Sequence, residues 1–296
     1  MLLKVGSKGL EVKLLQEFLN IGNDGIFGKG TEKAVKVWQK SNGLLNDGVV
    51  GSTTWSAMGL DKLATTDKSE ATYITENGLV INRHYLPKDE YKQGPIKAEW
   101  LFLHHTAGWN NPYKDIDSWG RDSRGAIATE FVIGGPKING GNIDYDGVVV
   151  QSFPEGNWGY HLGNNGSPTM HKNSVGIEVC NFGYLVNGKA YQGTVAEKSQ
   201  IVTLDKPFRG YKDWHRYSDT QIESLRKLIL HIADRDNIDV RAGLPSLIKE
   251  KGADAFEWHE DAYYGRVKGL WGHTNVRKDK TDMFPQTELL DMLLSL

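Results

Sequence analysis

The 296-residue sequence lacks several features that would place it in a special class. Its one cysteine, Cys180, cannot form an intramolecular disulfide, so the fold does not depend on an oxidising compartment. No stretch approaches the roughly 18 apolar residues of a membrane span. A net charge of −2 without a basic run gives no electrostatic argument for nucleic acid as a partner. The first residues, MLLKVGSKG, lack the apolar core and cleavage site of a secretory signal, so we expect none.

The rest of the composition is typical of a globular protein. The chain is 39% hydrophobic and 24% charged, and its length predicts two domains. It also has nine tryptophans and twelve tyrosines, more than a core of this size requires. Most are expected to be ordinary core or surface residues, and a few are compatible with platforms for a ligand.

An internal repeat occupies the first 60 residues. The segments NDGIFGKGTEKAV (23–35) and NDGVVGSTTWSAM (46–58) align at an offset of 23. Each begins with an Asn-Asp-Gly turn and continues with an apolar pair, a glycine and a threonine that can cap a helix. Between the two turns, residues 31–43 have the apolar spacing of a short amphipathic helix. The pattern predicts a compact module of about three helices.

A mixed α/β pattern follows the repeat. Residues 61–78 are polar without an apolar period, which predicts a linker. From residue 79 strands and helices alternate, which predicts a mixed central β-sheet flanked by helices. The expected strands lie at 96–104, 128–135, 147–153, 173–182 and 267–273.

Helices are expected at 115–123, 218–237 and 286–296. The second is the clearest, because Ser218 and Gln221 have the spacing of a capping box. Two segments, 184–214 and 241–266, fit neither the strand nor the helix pattern. We interpret them as insertions that wall a groove.

Potential metal ligands follow two of the apolar strands. The segment LFLHHTAG (101–108) runs into His104 and His105, and WGHTNVRKDKTD (271–282) contains His273 and Asp282 beside Lys280. Two imidazoles and one carboxylate form a three-ligand zinc set with a fourth position open to water, the catalytic arrangement. Adjacent residues of a strand point to opposite faces, so only one of His104 and His105 can enter the site.

A buried carboxylate is predicted in the apolar segment SVGIEVC (174–180). Glu178 would be costly there unless it is paired or functional. A salt bridge to a lysine or arginine would explain it, and a catalytic base near the metal is the interpretation that we favour.

The N-terminal repeat resembles the small peptidoglycan-binding domain found on many cell-wall hydrolases. The resemblance covers residues 3–59 and depends on Gly9, Val12, Leu15, Gln16, the turn 24–28, Thr31, Gln39 and the turn 47–48. In that family the ligand groove lies near the repeated turns. The resemblance therefore implies wall contacts at Asp24, Phe27 and Asp47.

Residues 96–296 are similar to the zinc-dependent N-acetylmuramoyl-L-alanine amidases, whose fold is shared with peptidoglycan recognition proteins. The matching segments are LFLHHTAG (101–108), DGVVVQSFPEGNWGYHLG (146–163), SVGIE (174–178) and GHTNVRKDKTD (272–282). The resemblance implies one catalytic Zn²⁺ held by His104, His273 and Asp282. It also implies Glu178 as the general base and Lys280 as a stabiliser of the oxyanion.

Other positions are expected to contact the substrate. The resemblance places His161 on the substrate side, and we expect Trp109, Trp158 and Tyr160 to line the saccharide-peptide groove. Where many members carry a Tyr-His pair, this chain has Thr129-Glu130. That difference removes a tyrosine sometimes assigned to catalysis, and it leaves Glu130 as a rival to Glu178 for the role of base.

The combined prediction is a monomeric two-domain cell-wall hydrolase: a binding module (1–60), a linker (61–78) and a catalytic domain (79–296). Its substrate would be bacterial peptidoglycan, cleaved at the amide between N-acetylmuramic acid and L-alanine. The missing signal favours a phage endolysin that stays in the host cytoplasm until lysis and then acts on the periplasmic or external wall. The alternative is a non-catalytic recognition protein. The presence of Asp282 and Lys280 argues for catalysis.

Overall fold

The computed structural model describes residues 2–58, 72–94, 96–138 and 144–296, which belong to two compact units. The small unit contains residues 2–58, and the large unit contains the other described ranges. Residues 61–71 of the predicted linker lie outside the described residues. The remainder of that prediction is corrected, because Thr72–Ile74 is a strand paired with Val80–Arg83 in the large unit.

The small unit contains three described helices, as the repeat predicts: α1 (Leu10–Phe18), α2 (Lys29–Ser41) and α3 (Ser52–Ala57). Their apolar faces enclose one small core. Its buried residues are Leu3, Val12, Leu15, Phe27, Val35, Val50, Trp55 and Met58.

One buried glutamine organises the first repeated turn. The Nε2 of Gln16 donates to Asp24 Oδ1 at 2.8 Å and to Thr31 Oγ1 at 3.0 Å. Its Oε1 accepts from the backbone N–H of Gly25 at 2.9 Å. Gly25 has φ of 72°, a left-handed conformation that glycine adopts without strain.

The second turn repeats this arrangement 23 residues later. The Nε2 of Gln39 donates to Asp47 Oδ1 at 3.0 Å and to Thr54 Oγ1 at 3.2 Å, and its Oε1 accepts from Gly48 N at 2.9 Å. The sequence repeat is therefore a repeat of one hydrogen-bonded structure.

The large unit is built on a seven-stranded mixed sheet with the order β1-β2-β5-β4-β6-β3-β10. Strands β3, β4, β6 and β10 are parallel to one another, whereas β5 is antiparallel to β4 and β1 to β2. The strands are β1 (Thr72–Ile74), β2 (Val80–Arg83), β3 (Trp100–His105), β4 (Phe131–Ile133), β5 (Val149–Gln151), β6 (Ser174–Val179) and β10 (Gly269–Gly272).

Helices cover both faces of this sheet. Val132 and Val150 pack with Ile116 of the first helix of the large unit, whereas Phe131 and Ile133 belong to the main core with the long helix that begins at Asp219. The helices are α4 (Pro112–Trp119), α5 (Asp219–Asp236), α6 (Leu244–Lys251), α7 (Glu260–Tyr263), α8 (His273–Val276) and α9 (Thr287–Leu294).

Helix ends follow the local capping chemistry. The capping box of α5 is confirmed, because Ser218 Oγ accepts from Gln221 N and Gln221 Oε1 accepts from Ser218 N. Helix α4 begins three residues before the predicted position, since the side chain of Asn111 caps it and Pro112 starts it.

The two segments without a sequence assignment have different structures. Residues 184–214 contain an antiparallel sheet of order β7-β9-β8, formed by β7 (Tyr184–Leu185), β8 (Ile201–Phe208) and β9 (Tyr211–His215). Residues 241–266 contain α6 and α7, and their apolar side chains join the main core. Among the described residues, none of the helices is both long and apolar enough to cross a bilayer.

Candidate active site and metal centre

Two strand ends and one loop bring His104, His273 and Asp282 together. His104 is the fifth residue of β3, and His273 follows β10 directly as the first residue of α8. Because β3 and β10 are parallel neighbours, their carboxyl ends meet at one edge of the sheet. The loop after α8 carries Asp282, whose carbonyl accepts from Thr274 N at 3.1 Å. All three side chains are buried.

The donor atoms of this group are close enough for one ion. Asp282 Oδ2 lies 2.8 Å from Nδ1 of His273 and 3.4 Å from Nδ1 of His104. The ligand atoms of all three residues lie within 4.8 Å of one another. Zinc–nitrogen and zinc–oxygen bonds in proteins are about 2.0–2.2 Å long. Small side-chain rotations would bring these three atoms to that distance from one central ion.

Hydrogen bonds on the far side of each imidazole orient its metal-facing nitrogen. Nε2 of His104 lies 2.9 Å from Nδ1 of His161, and Nε2 of His161 lies 2.9 Å from Ser174 Oγ. Ser174 Oγ donates in turn to the carbonyl of His171 at 3.4 Å. This order makes His161 Nδ1 the acceptor of the His104 Nε2–H, and it directs Nδ1 of His104 at Asp282.

His273 has the same orientation by a different contact. Its Nε2 lies 3.3 Å from the carbonyl oxygen of Leu162, which can only accept, so Nε2 carries the proton. Nδ1 of both imidazoles is therefore directed at one carboxylate oxygen. The donor set N, N, O suits zinc, which would take the place of any proton held between these atoms.

The electrostatics of the group favour ligand protonation states. Burial lowers the pKa of His104 to about 4, and the neighbouring His273 adds to this effect. Burial alone would raise the pKa of Asp282, but the imidazole of His273 and the hydrogen bonds from both histidines hold it well below its usual range. Metal binding requires neutral histidine and ionised carboxylate, and both pKa shifts favour those forms.

Glu178 lies beside the metal group. In the parallel register of β3 and β6 it is the partner of His104, so both side chains point to the same face. Its Oε2 is buried and has no hydrogen-bond partner among the residues that the structure describes. Burial raises the pKa of Glu178 well above its usual value, and the carboxylates of Asp282 and Asp115 raise it further.

Glu130, the rival carboxylate, is engaged elsewhere. Arg235 of α5 binds it through two contacts, Nη1–Oε1 at 2.7 Å and Nη2–Oε2 at 3.0 Å. Gln151 Nε2 donates to the same Oε1 at 2.8 Å. With both oxygens bound to a cation, Glu130 is a structural ion-pair residue, which leaves Glu178 as the candidate base.

His105 points to the opposite face, as strand geometry predicts. Its Nδ1 lies 2.7 Å from the hydroxyl of Tyr217, and its ring packs near Trp214 and Phe284. The choice of His104 as the candidate ligand therefore agrees with the sheet geometry.

A cavity of about 600 Å³ opens at this edge of the sheet. The candidate ligands, Glu178, His161 and the half-exposed Lys280 all line it. The other lining residues are His105, Thr106, Ala107, Trp119, Arg124, Ile127, Ala128, Thr129, Tyr160, Tyr184, Tyr191, Tyr211, Asp279 and Thr281. Its volume is within the range of about 300–1,000 Å³ usual for small-molecule sites.

The predicted aromatic contacts are only partly brought together. Tyr160 lines the cavity, but Trp109 and Trp158 are absent from its lining. Trp158 packs edge-on against Tyr160 at 5.1 Å, and Trp109 packs against Phe182 at 6.2 Å. Trp158 therefore packs against a lining residue, and the groove contacts predicted for Trp109, which is 53% exposed, and for Trp158 stay predictions.

The predicted wall contacts of the small unit have structural explanations. Phe27 is fully buried in the small core, so its predicted role as a ligand contact is corrected: no part of its side chain reaches the surface. Asp24 and Asp47 are exposed, but one carboxylate oxygen of each is bound to the buried Gln16 or Gln39. The side-chain hydrogen bond from Gln16 is the main reason why the pKa of Asp24 is lowered.

Three tyrosines are among the lining residues that the sequence analysis did not identify. Tyr184, Tyr191 and Tyr211 come from the 184–214 segment, so the expectation that this insertion walls a groove is confirmed. For 241–266 the same expectation is wrong, because none of its residues line the cavity. A tyrosine-rich insertion was the available signal, but the position of these side chains depends on strand pairing within the small sheet.

Comparison with protein families assigns the large unit. The family model for N-acetylmuramoyl-L-alanine amidase matches residues 93–283, more than half of the chain. The chain belongs to the N-acetylmuramoyl-L-alanine amidase family. All candidate ligands and Glu178 lie inside the matched range. A peptidoglycan binding domain model matches residues 8–58, so this amidase carries an N-terminal domain of that family.

Individual relatives match this amidase over shorter ranges or with low structural similarity. Protein disulfide isomerase pTAC5 of Arabidopsis thaliana is 39% identical in an alignment of 137 positions that covers 39% of this chain. The chain spans about a third (35%) of that curated relative. Disulfide exchange needs a reactive thiol, whereas burial raises the pKa of the single Cys180 well above its usual value.

Two solved structures are also similar. The Burkholderia AP3 phage endolysin is 35% identical, with 20% of this chain and 24% of that chain covered and a TM-score of 0.19. The amidase LysC from Clostridium intestinale URNW is 14% identical, with 69% and 89% covered and a TM-score of 0.36. Both TM-scores are below 0.5, and the family assignment depends on the family models.

Proposed function

We propose that this protein is a zinc-dependent peptidoglycan amidase that cleaves the bond between N-acetylmuramic acid and L-alanine. The observation that supports this most directly is the buried group His104, His273 and Asp282, with the unpaired carboxylate of Glu178 in register beside it. The match to the amidase family over residues 93–283 supports the same bond.

The residues present fit a zinc ion. His104 and His273 would hold it through Nδ1 and Asp282 through a carboxylate oxygen, because those atoms converge on one point. When bound, zinc supplies Lewis-acid polarisation of the scissile carbonyl and lowers the pKa of water. Three protein ligands leave a position open to the cavity, as in catalytic sites.

Glu178 is the group that we assign to proton transfer. Burial raises its pKa well above that of an ordinary carboxylate, which makes it a stronger base, and its buried Oε2 has no hydrogen-bond partner among the described residues. A carboxylate in this state accepts a proton from the attacking water. The resulting acid then delivers that proton to the nitrogen of the departing L-alanine amine.

Lys280 and His161 have supporting roles in this proposal. The Lys280 ammonium lines the cavity and is close enough to interact with Glu178 and His104, so it can stabilise negative charge on the carbonyl oxygen. His161 was predicted to contact substrate. Its hydrogen bonds to His104 and Ser174 favour a positioning role, in which it holds the His104 ring and fixes the ligand nitrogen.

The small unit would keep the enzyme on its polymeric substrate. A wall-binding domain on the same chain raises the effective substrate concentration at the catalytic cavity without any new contact there. Its assignment is supported by the family match over residues 8–58. The predicted monomeric state, endolysin setting and site of action stay predictions.

Mass spectrometry of digested peptidoglycan tests this function. We expect stem peptides that begin at L-alanine beside uncut glycan strands, with the product lost on chelation and restored by zinc. Asp282→Ala should lose both stoichiometric zinc and activity. A folded wild-type protein that binds sacculi but releases nothing would favour the non-catalytic alternative. Cut glycan would show that the assigned bond is wrong.

A further inference from the structure

A group of three tyrosines from the 184–214 segment stands at the catalytic cavity. We call Tyr184, Tyr191 and Tyr211 the tyrosine wall. All three line the same cavity as the candidate metal ligands and Glu178. They are the lining residues that the 184–214 segment contributes: Tyr184 and Tyr211 lie on strands β7 and β9, and Tyr191 lies in the loop between β7 and β8.

The wall is built on a rigid base. The rings of Tyr184 and Tyr211 are stacked, with centroids 3.7 Å apart and planes at 13°. Each also packs edge-on against the fully buried Trp214, at 6.2 Å.

Tyr191 adds an open ring face beside this pair. Tyr191 is 69% exposed, and the next most exposed aromatic residue among those that the structure describes is Trp109, at 53%. A hydrogen-bonded turn presents it, since Ala190 N donates to Thr194 O at 2.9 Å and Gly193 N donates to Ala190 O at 2.8 Å. Tyr191 therefore presents an open aromatic ring face at the cavity.

We propose that the tyrosine wall is the subsite for the glycan strand of peptidoglycan, an inference that rests on the proposed amidase function. The scissile amide joins two chemically different parts, a neutral polyhydroxylated sugar chain and a stem peptide that carries carboxylates. Carboxylates lose hydration against an uncharged aromatic wall without gaining a partner. Pyranose rings instead stack their C–H faces on aromatic rings, and their hydroxyl and acetamido groups bond to phenol oxygens.

Charge in the rest of the cavity agrees with this division. The cationic lining residues, Arg124 and Lys280, come from other segments than the small sheet. Arg124 pairs with Asp122 at 2.6 Å, which offsets its positive charge. Of the two cations, Lys280 is therefore the better placed to attract a carboxylate of the stem peptide. The glycan therefore fits the tyrosine wall better than the peptide does.

Kinetics on two soluble substrates test the subsite. The first is N-acetylmuramoyl-tripeptide, and the second carries further N-acetylglucosamine–N-acetylmuramic acid units on the same peptide. For Tyr191→Ala we expect kcat/KM on the longer glycan to fall about ten-fold, mainly through KM. The fall on the short substrate should be several-fold smaller. Tyr191→Phe should retain most activity, since it keeps the ring face.

The matched control is Tyr264→Ala. Tyr264 is 47% exposed and lies outside the cavity lining, so the ratio between the two substrates should stay at the wild-type value. Equal losses on both substrates for a Tyr191→Ala protein with an unchanged melting temperature would overturn the proposal. The proposal would also be overturned if Tyr191→Ala weakened inhibition by free stem peptide more than inhibition by free glycan.

Binding without hydrolysis separates this inference from the proposed function. Calorimetric titration of chitotetraose, a neutral N-acetylglucosamine oligomer, into the full chain should give weaker binding for Tyr191→Ala than for wild type. The small unit is the same in both proteins, so the difference belongs to the wall. Identical titrations would overturn the subsite. A wild-type protein that binds chitotetraose through Tyr191 but never releases stem peptide would reject the amidase function alone.

Discussion

The repeated turns of the small unit and the strand ends of the large sheet both bury polar side chains, with opposite results. Gln16 and Gln39 satisfy their amide groups with neighbours that the repeat itself supplies. At the strand ends, Glu178 keeps an unbonded buried oxygen, and two imidazoles converge on the carboxylate of Asp282. A satisfied buried polar group stabilises a fold, whereas an unsatisfied one beside other titratable groups in a cavity is a candidate for binding a ligand or transferring a proton.

The same contrast occurs within the large unit. Glu130 immediately precedes β4, and Glu178 lies on the adjacent strand β6. Glu130 is held by both nitrogens of an arginine fork, so its charge is neutralised. For Glu178, the ammonium of Lys280 is the cation that opposes the rise of its pKa on burial. The roles of these two carboxylates therefore differ because their partners differ.

The largest expected effect is at Glu178. Glu178→Gln keeps the size of the side chain and removes the proton acceptor, so kcat should fall by about 10²–10⁴-fold. Zinc content and melting temperature should not fall, since burial of a neutral amide costs less than burial of a charge. Product release followed by mass spectrometry measures the rate. Wild-type kcat in a folded, zinc-loaded Glu178→Gln protein would show that the base is another group.

The second-largest effect is expected on the free energy of unfolding, when Glu130 is replaced. Glu130→Gln leaves Arg235 without its bidentate partner, and breaking a buried ion pair costs about 3–5 kcal/mol. We expect the lower end of that range, because Asp236 still pairs with Arg235 at 2.7 Å. Urea unfolding of the large unit measures the loss.

Glu223→Gln is the control for that variant, because Glu223 lies on α5, the helix that carries Arg235. Glu223 pairs with Lys227 at 3.6 Å on the surface, so its loss should cost about 1 kcal/mol or less. Folded Glu130→Gln protein should retain its kcat. A large loss of kcat without a loss of stability would return Glu130 to the list of catalytic candidates.

The smallest effect is expected in the small unit. Gln16→Leu removes the donors and the acceptor that hold the first turn, and the groups left unpaired should cost the small unit about 1–3 kcal/mol. Gln39→Leu should cost a similar amount, because its contacts repeat those of Gln16. Hydrogen exchange at the amides of Gly25 and Gly48 measures each turn separately. Strong protection of Gly25 in Gln16→Leu would mean that the glutamine does not hold the turn.

Much of the fold could be predicted because its signals are local. The repeat at an offset of 23, the capping box of Ser218 and Gln221 and the apolar strands are patterns within short segments, and the structure contains all of them. The sequence also grouped His104 and His273 as candidate ligands, and the structure shows that they meet because β3 and β10 are parallel neighbours that end at a common edge. The error at α4 arose at a helix start, where Asn111 and Pro112 outweighed the periodicity.

By itself, the sequence determined which segments fold as helices and strands, and which residue types were available to bind a metal. Tertiary structure decided which polar side chains are paired. Arg235 lies 105 residues from Glu130 and His161 lies 57 residues from His104, so neither contact has a local signal. The tyrosine wall likewise depends on the pairing of β7 with β9. Periodicity reports how a segment faces the core, whereas the partner of a buried charge is chosen only when distant segments pack together.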